Sequence, residues 1–118
     1  MISMREAYEK IGADYDGASV RLMGEEMLAR FALKFLDDES MDKLEAAMAA
    51  GDAESAFMAV HTLKGVSQNL GFDNLYEPAV VVTEALRDAD TVDGARDGLH
   101  ALRQQYAATM SALREAAE

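Results

Sequence analysis

Apolar residues recur at intervals of three and four along most of the chain, which is the pattern of amphipathic α-helices that each bury one face. No strand-length window alternates apolar and polar residues, and no Asn-Gly or Asp-Gly turn joins two β-branched runs. The sequence therefore predicts an all-α protein. Because each helix must cover its apolar face, we expect an antiparallel up-and-down four-helix bundle with an additional short N-terminal helix.

The first half of the chain predicts helices whose ends are marked by glycine, serine and acidic residues. A short helix fits residues 3–11, and a longer amphipathic stretch begins near Gly17. Residues 37–39 interrupt the apolar pattern, and Ser40 is suited to cap a helix that ends at Gly51. The stretches on either side of the acidic run could equally form one kinked helix. The stripe predicted to be buried in the earlier stretch comprises Val20, Met23, Met27, Phe31 and Phe35.

The second half predicts three further helices with short connections. Asp52 can cap a helix that extends to Gly71. The next helix begins near Leu75 and has Pro78 in its first turns, where a missing backbone donor costs least. The last helix follows Thr91 and extends for more than about 20 residues at near-heptad spacing. The residues predicted to face the core in these helices are Ala56, Val60, Leu63, Ser67, Leu70, Leu75, Ala79, Val82, Leu86, Val92, Ala95, Leu99, Leu102, Tyr106, Met110 and Leu113.

Length, charge and cysteine content limit the class of protein. A chain of 118 residues predicts one domain over residues 1–118, with the bundle core over about 17–116. The net charge of -11 repels nucleic acid and anionic lipid. No apolar run approaches the roughly 20 residues that cross a membrane, and the N-terminus lacks the features of a secretion signal. Cysteine is absent, which fits a cytoplasmic protein, and we expect a monomer.

Residues 60–71 contain the candidate chemistry. On a helix, His61, Lys64, Gly65 and Gln68 lie on an arc that points away from the apolar stripe. A neutral imidazole is a competent nucleophile, and a phosphorylated ring nitrogen can pass its phosphoryl group on. Lys64 adds a positive charge one turn later. Gly65 costs about 1 kcal/mol relative to alanine in a helix interior, and its missing side chain leaves space for another molecule.

Each of these residues also has a simpler interpretation. An exposed histidine on a helix is usually a solvated surface residue, and a glycine at a helix crossing is an ordinary packing device. Only their joint occurrence on one arc indicates a site. His100 lacks an aligned basic partner, so we interpret it as a surface residue. Residues 37–39 lack the spacing of a calcium loop, so no metal site is predicted.

The motif His-Thr-Leu-Lys-Gly at residues 61–65 resembles the motif of histidine-containing phosphotransfer (Hpt) domains of multistep two-component phosphorelays. The resemblance covers nearly the whole chain, from about Gly17 to the end. It implies a four-helix bundle with a phosphoacceptor histidine exposed to solvent. The residues after the motif that also match the family are Ser67, Asn69, Leu70, Gly71 and Leu75.

The resemblance also implies roles for individual residues. His61 corresponds to the phosphorylated histidine, Lys64 to the basic residue that steadies the phosphate, and Gly65 to the small residue that admits the partner. Family members often orient the imidazole with Gln or Glu from the neighbouring helix, and that position is Thr83 here. The shorter hydroxyl would have to reach the ring through water, unless Gln68 takes this role instead.

Further family positions extend the predicted site. A second basic residue, present in some members, corresponds to Arg87, and Pro78 replaces a residue that is commonly apolar. An apolar rim around a reactive centre is the expected form of a docking patch. The residues predicted to form this rim are Phe57, Met58, Tyr76 and Val80.

By resemblance, His61 accepts a phosphoryl group from an aspartate of a response-regulator receiver domain and passes it to another receiver. A hybrid sensor kinase is a further candidate partner. Magnesium would belong to the receiver, so no cofactor is expected on this chain. The chain has neither a Gly-rich phosphate loop nor the length for an ATP-binding domain, so we do not expect an enzyme. Two alternatives stay open: a helical adaptor that is not phosphorylated, and a phosphocarrier of a sugar-phosphotransferase system.

Overall fold

The computed structural model describes residues 1–117, which form α-helices, 3-10 turns and connecting loops, without a strand in that range. The prediction of an all-α protein is confirmed. Glu118, the last residue of the predicted domain, lies outside the described residues. The α-helices are α1 (Met4–Ile11), α2 (Tyr15–Arg21), α3 (Glu25–Lys34), α4 (Ser40–Ala50), α5 (Ala53–Asn69), α6 (Asp73–Leu86) and α7 (Arg96–Ala117). Short 3-10 helices, Phe35–Asp37 and Asp93–Ala95, precede α4 and α7.

In the second half of the chain, the buried faces of the helices match the predicted apolar stripes closely. All of the predicted core residues of α5, α6 and α7 are buried, apart from Tyr106, which is half-buried. The last helix has 22 residues, as the near-heptad spacing predicted. Pro78 lies in the second turn of α6. Its missing N–H leaves the Asn74 carbonyl without the usual helical donor.

Helices α4 to α7 pack in chain order, and α6 and α7 run in opposite directions. Asn74, near the start of α6, donates to Thr109, near the end of α7, over 3.1 Å. At the other end of this pair, Gly98 of α7 lies against Val82 of α6. The first and last of these helices are joined by the ion pair between Glu45 and Arg103, at 2.6 Å.

Of the predicted stripe before residue 37, Phe35 is buried and Met27 is half-buried, but the prediction is wrong for Val20, Met23 and Phe31, which are exposed. The chain breaks between α2 and α3, where Met23 takes a left-handed conformation with φ of 66° and Gly24 has φ of 125°. Val20 and Met23 are consequently 82% and 88% exposed. The core is reached by the predicted Phe35 and, in place of the exposed residues, by Ala18, Leu28 and Ala32. Spacing could not show this, because a left-handed residue ends one helix and changes the direction of the next.

The predicted cap at Ser40 is also wrong, although the helix begins there. Ser40 is the first residue of α4, and its backbone N–H donates to the carboxylate of Asp38 over 3.1 Å. The Ser40 hydroxyl donates to the same carboxylate at 2.7 Å. By contrast, the cap predicted at Asp52 is confirmed, since its side chain accepts from the backbone N–H of Ser55.

The N-terminal helices secure the C-terminal end of α5, where backbone carbonyls have no helical partners. The buried hydroxyl of Tyr8 donates to the Leu70 carbonyl over 2.7 Å. The Arg21 guanidinium donates to the carbonyls of Gln68 and Asn69 at 3.0 and 3.2 Å. These bonds hold the helix that carries the candidate site at a fixed position on the molecule.

Candidate functional site

One face of α5 is open to solvent along two turns. His61, Gly65 and Gln68 are exposed and Lys64 is half-buried, whereas Val60 and its successors on the opposite face are in the core. The outward arc that helical spacing predicted is therefore present. It places a nucleophilic imidazole and an ammonium group within one turn of each other on the surface.

The imidazole of His61 is stacked on an aromatic ring. The Phe57 ring, one turn earlier on α5, is nearly parallel to it, with the centroids 5.7 Å apart and an interplanar angle of 17°. The guanidinium carbon of Arg87, from the end of α6, lies 5.3 Å from the centroid of the same Phe57 ring. Phe57 thus contacts both the candidate nucleophile and a candidate phosphate-binding cation.

Thr83 is not placed where the family comparison expected it. It is fully buried, and its hydroxyl donates to the Ala79 carbonyl of its own helix over 2.7 Å. Its side chain therefore does not orient the His61 ring in this structure. Gln68 is exposed two turns after His61, and its backbone carbonyl accepts from Arg21. Within residues 1–117, the contact found for the imidazole is the Phe57 stack and not a hydrogen bond from α6.

The charges beside His61 form a network that sequence reasoning missed. Arg87 donates twice to Glu84, from Nη2 at 3.0 Å and from Nε at 3.3 Å. This hydrogen bonding lowers the pKa of the Glu84 carboxyl, and the positive charge of Lys64 lowers it further. The pKa of the Arg87 guanidinium is raised by the same carboxylate. The i, i+3 spacing of the pair was the signal available in the sequence.

Gly65 has no role in packing within the described part of the molecule. A Cβ atom built on it meets no other atom within 4 Å. The alternative interpretation of this glycine, as a packing device at a helix crossing, is therefore wrong. The absence of a side chain leaves open space on the surface, one turn from the imidazole.

The residues predicted to form a docking rim differ in exposure. Met58 is 59% exposed, while Phe57, Tyr76 and Val80 are half-buried. Phe57 and Met58 lie on the two sides of His61, because Phe57 borders the loop after α6 and Met58 borders the groove between α4 and α5. The rim is therefore mixed, with one protruding apolar side chain and three that pack partly against the bundle.

The weaker candidates stay outside this site. His100 is exposed on α7. The Asp38 carboxylate, from the acidic run, accepts from the Ser40 backbone N–H at the start of α4 and from the Tyr106 hydroxyl at 3.1 Å. No group of three or more potential metal ligands occurs in residues 1–117, and no helix there is long and apolar enough to cross a membrane.

Comparison with known families places the chain in one of them. The family model for the Hpt domain matches residues 26–116, which is most of the chain and includes all of α4 to α6. The chain belongs to the Hpt domain family. This class of domain has a histidine phosphotransfer role in phosphorelays and acts as a phosphocarrier. No curated protein and no solved structure matched the chain.

Proposed function

We propose that this chain is a phosphorelay intermediate that carries a phosphoryl group on His61. The observation that supports this most strongly is the joint arrangement on α5: an exposed imidazole, Lys64 beside it, and a glycine whose missing side chain serves no internal packing. Glycine inside a helix lowers its stability. At an open surface, a need for another molecule to approach closely explains why a glycine is there. We therefore assign the face around Gly65 to a docked partner.

The donor and the acceptor are both aspartates of response-regulator receiver domains, and a hybrid sensor kinase can supply the donor receiver. The unprotonated ring nitrogen of His61 attacks the phosphorus of an aspartyl phosphate and forms an N–P bond. The acyl P–O bond breaks, and the receiver carboxylate leaves with the electron pair. The proton on the other ring nitrogen stays in place during this step. The reverse step, with a second receiver, returns the phosphoryl group to an aspartate.

Cations on this chain and on its partner stabilise the charge that is transferred. Lys64 is placed to contact the phosphoryl oxygens, because it lies one turn from His61 on the same face. Arg87 contributes from α6, where it already stacks on Phe57. Magnesium belongs to the receiver, and this chain supplies no cofactor. Because no nucleotide takes part, the chain acts as a carrier and not as a kinase.

The receiver docks on the side of an antiparallel up-and-down bundle formed by α4 to α7. Met58 protrudes on one side of His61, and the half-buried Tyr76 and Val80, one turn apart on α6, add apolar surface. Desolvated apolar contacts of this kind supply most of the affinity in protein interfaces. One copy of the chain presents the complete site, so we propose a monomer. The net charge of -11 disfavours receivers with acidic docking faces.

A transfer assay tests this proposal directly. The purified chain is incubated with phosphorylated receiver domains and magnesium, and label that is labile to acid but stable to base is measured. We expect label on the wild type and none on His61→Gln. Since the chain has two histidines, His100→Gln is the matched control and should be labelled like the wild type.

Three results would overturn the proposal. Equal labelling of His61→Gln and the wild type would place the phosphoryl group elsewhere. Absence of label with every receiver, together with partner binding that survives His61→Gln, would indicate an adaptor. Labelling from phosphoenolpyruvate through carrier proteins, without labelling by receivers, would indicate a sugar-phosphotransferase carrier.

A further inference from the structure

Glu84 lies at the edge of the proposed phosphotransfer site, next to the cations that a phosphoryl group on His61 would use. Its carboxylate accepts both hydrogen bonds that Arg87 forms in this structure, at 3.0 and 3.3 Å. The side chains of Glu84 and Arg87 are both about half exposed, at 58% and 47%. The carboxylate therefore occupies the donors of a cation that is free to rearrange in water.

Arg87 and His61 contact the same aromatic ring, that of Phe57. Its guanidinium carbon lies 5.3 Å from the Phe57 ring centroid, and that centroid lies 5.7 Å from the centroid of the imidazole. A phosphoryl group projects from the imidazole by a further bond, and an arginine side chain has several rotatable bonds. A change of side-chain torsions would move Arg87 from Glu84 toward the phosphoryl oxygens.

A phosphoryl group on a ring nitrogen is a stronger attractor than a carboxylate. It carries a charge between about -1.5 and -2 and three acceptor oxygens, whereas Glu84 carries a single negative charge. Guanidinium groups bind phosphate in two-pronged geometry, which favours this exchange of partners. The carboxylate left behind then lies near a second anion, and Lys64, whose charge already acts on Glu84, is the cation that remains near it.

We propose that Glu84 competes with the phosphoryl group on His61 for Arg87, and so lowers the amount of phosphohistidine at equilibrium with phosphorylated receivers. This inference rests on the proposed function, because it assigns a regulator to the same site. In the unphosphorylated chain Glu84 stabilises Arg87, and in the phosphorylated chain it repels the phosphoryl group. Glu84 is thus a residue that favours discharge to the next receiver over storage.

The main experiment measures how the phosphoryl group divides between a receiver and this chain at equilibrium, in the presence of magnesium. Glu84→Gln removes the competing charge and keeps the side-chain shape. Exposed ion pairs are weak, so we expect the ratio of phosphorylated chain to phosphorylated receiver to rise about 1.5- to 5-fold. Glu9→Gln, on α1, makes the same change in net charge away from His61 and should leave the ratio unchanged.

A second variant tests whether the effect passes through Arg87. In an Arg87→Gln background, Glu84→Gln should raise the ratio by less than it does in the wild type, because the shared cation is gone. An equal rise in both backgrounds would overturn the competition for Arg87. An equal rise in Glu84→Gln and Glu9→Gln would also overturn it, since only net charge would then matter.

A measurement without a receiver separates this inference from the proposed function. Phosphoramidate is used to phosphorylate His61 chemically, and the phosphorus NMR signal is followed as pH is lowered. In Glu84→Gln the phosphoryl group should take up its proton at lower pH than in the wild type, because Arg87 and Lys64 stabilise the dianion. If phosphoramidate labels His61 and receivers do not, the relay function fails while Glu84 remains testable. If both donors label His61 and Glu84→Gln changes neither readout, only the Glu84 inference fails.

Discussion

The ring of Phe57 lies nearly parallel to the imidazole of His61, 5.7 Å away between centroids and one helical turn earlier on the same helix. This contact holds the imidazole on one side and leaves its other side and its edge toward solvent. In the family, a hydrogen bond from the neighbouring helix often orients the histidine. In this chain the corresponding residue, Thr83, is buried and bonded to Ala79, so the stack is the contact that limits rotation of the ring.

Replacement of Phe57 should slow the phosphorylation of His61 even when no protein partner is present. An aromatic pair contributes about 0.5–1.5 kcal/mol beyond the area that it buries, so Phe57→Leu should reduce the initial rate of labelling by phosphoramidate about 2- to 10-fold. A small donor is used because it does not need the docking rim. Met58→Leu changes the other residue beside His61 without removing a stack, and should label at the wild-type rate. Equal rates for Phe57→Leu and Met58→Leu would contradict a positioning role for the ring.

Addition of one methyl group at Gly65 should make the fold more stable but slow phosphoryl transfer from a receiver. Because a Cβ there meets no atom within 4 Å and the residue lies inside α5, Gly65→Ala should raise the free energy of unfolding by about 0.5–1 kcal/mol. The same methyl group would lie in the space assigned to the receiver, so transfer from a phosphorylated receiver should slow. Urea unfolding measures the first effect and a rapid-mixing transfer assay measures the second.

Two controls make the Gly65 result specific. Labelling of Gly65→Ala by phosphoramidate should stay close to wild type, because a small donor does not need the vacant space. Gly98→Ala, on α7, would place a methyl group 3.2 Å from Val81 and 3.3 Å from Val82, so it should not give the same gain in stability. Unchanged transfer from receivers to Gly65→Ala would show that the partner does not approach this glycine.

Gly71 should tolerate a side chain much less well than Gly12. Both residues are left-handed, with φ of 75° and 69°, so alanine costs about 1–2 kcal/mol of backbone strain at either position. At Gly71 the new Cβ would also lie 2.5 Å from the Asp14 carbonyl oxygen, whereas at Gly12 it meets no atom within 4 Å. Urea denaturation should therefore show a clearly larger loss of free energy of unfolding for Gly71→Ala than for Gly12→Ala. Equal losses would mean that the contact between Asp14 and Gly71 is not maintained in solution.

The stability of the fold should fall at alkaline pH, in part through Tyr8. Burial raises the pKa of the Tyr8 hydroxyl well above its ordinary value of 10.0, and its hydroxyl donates to Leu70. Unfolding therefore releases a proton once the pH exceeds about 10, so the contribution of Tyr8 is complete below that pH and is lost as the pH rises further. Chemical denaturation between pH 8 and 11 should show this decline.

Tyr8→Phe provides the comparison for the alkaline transition. The substitution leaves the Leu70 carbonyl without its donor. The free energy of unfolding of the variant should therefore be lower by about 1–3 kcal/mol near neutral pH. The free energy of unfolding of Tyr8→Phe should also decline less above pH 10 than that of the wild type, because one ionising group has been removed. The half-buried Tyr106 hydroxyl, whose pKa is also raised by burial and by Asp38, should account for part of the remaining decline. An unchanged slope in Tyr8→Phe would contradict the assignment to this hydroxyl.

The exposed face of α5 could be predicted from the sequence because it depends on one helix only. Helical spacing places His61, Lys64 and Gly65 together whatever the helix packs against, and the structure has them there. The cap at Asp52 is equally local, since it involves residues within a single turn. Predictions of this kind succeed when the interactions that decide them are close in the chain.

The neighbouring helix could be oriented only in part. Spacing correctly predicted that Ala79 and Val82 of α6 face inward, but residues 79–83 read Ala-Val-Val-Val-Thr, so spacing did not show that the buried face extends to Thr83. Packing of α6 between α5 and α7 buries Val82 and Thr83 and leaves Val81 exposed beside Gly98. The same rotation places Glu84 and Arg87 at the edge of the site.

The sequence by itself determined the helical class, the helix ends at Gly12, Gly51 and Asp52, and the family motif, because these follow from short-range periodicity, capping and residue identity. Tertiary structure alone decided three things. It broke the stretch before residue 37 at Met23, it brought His61 and Arg87 into contact with the same Phe57 ring, and it turned Thr83 into the core. Each of these depends on how one helix is rotated and positioned against another, which is fixed by packing among residues far apart in the chain.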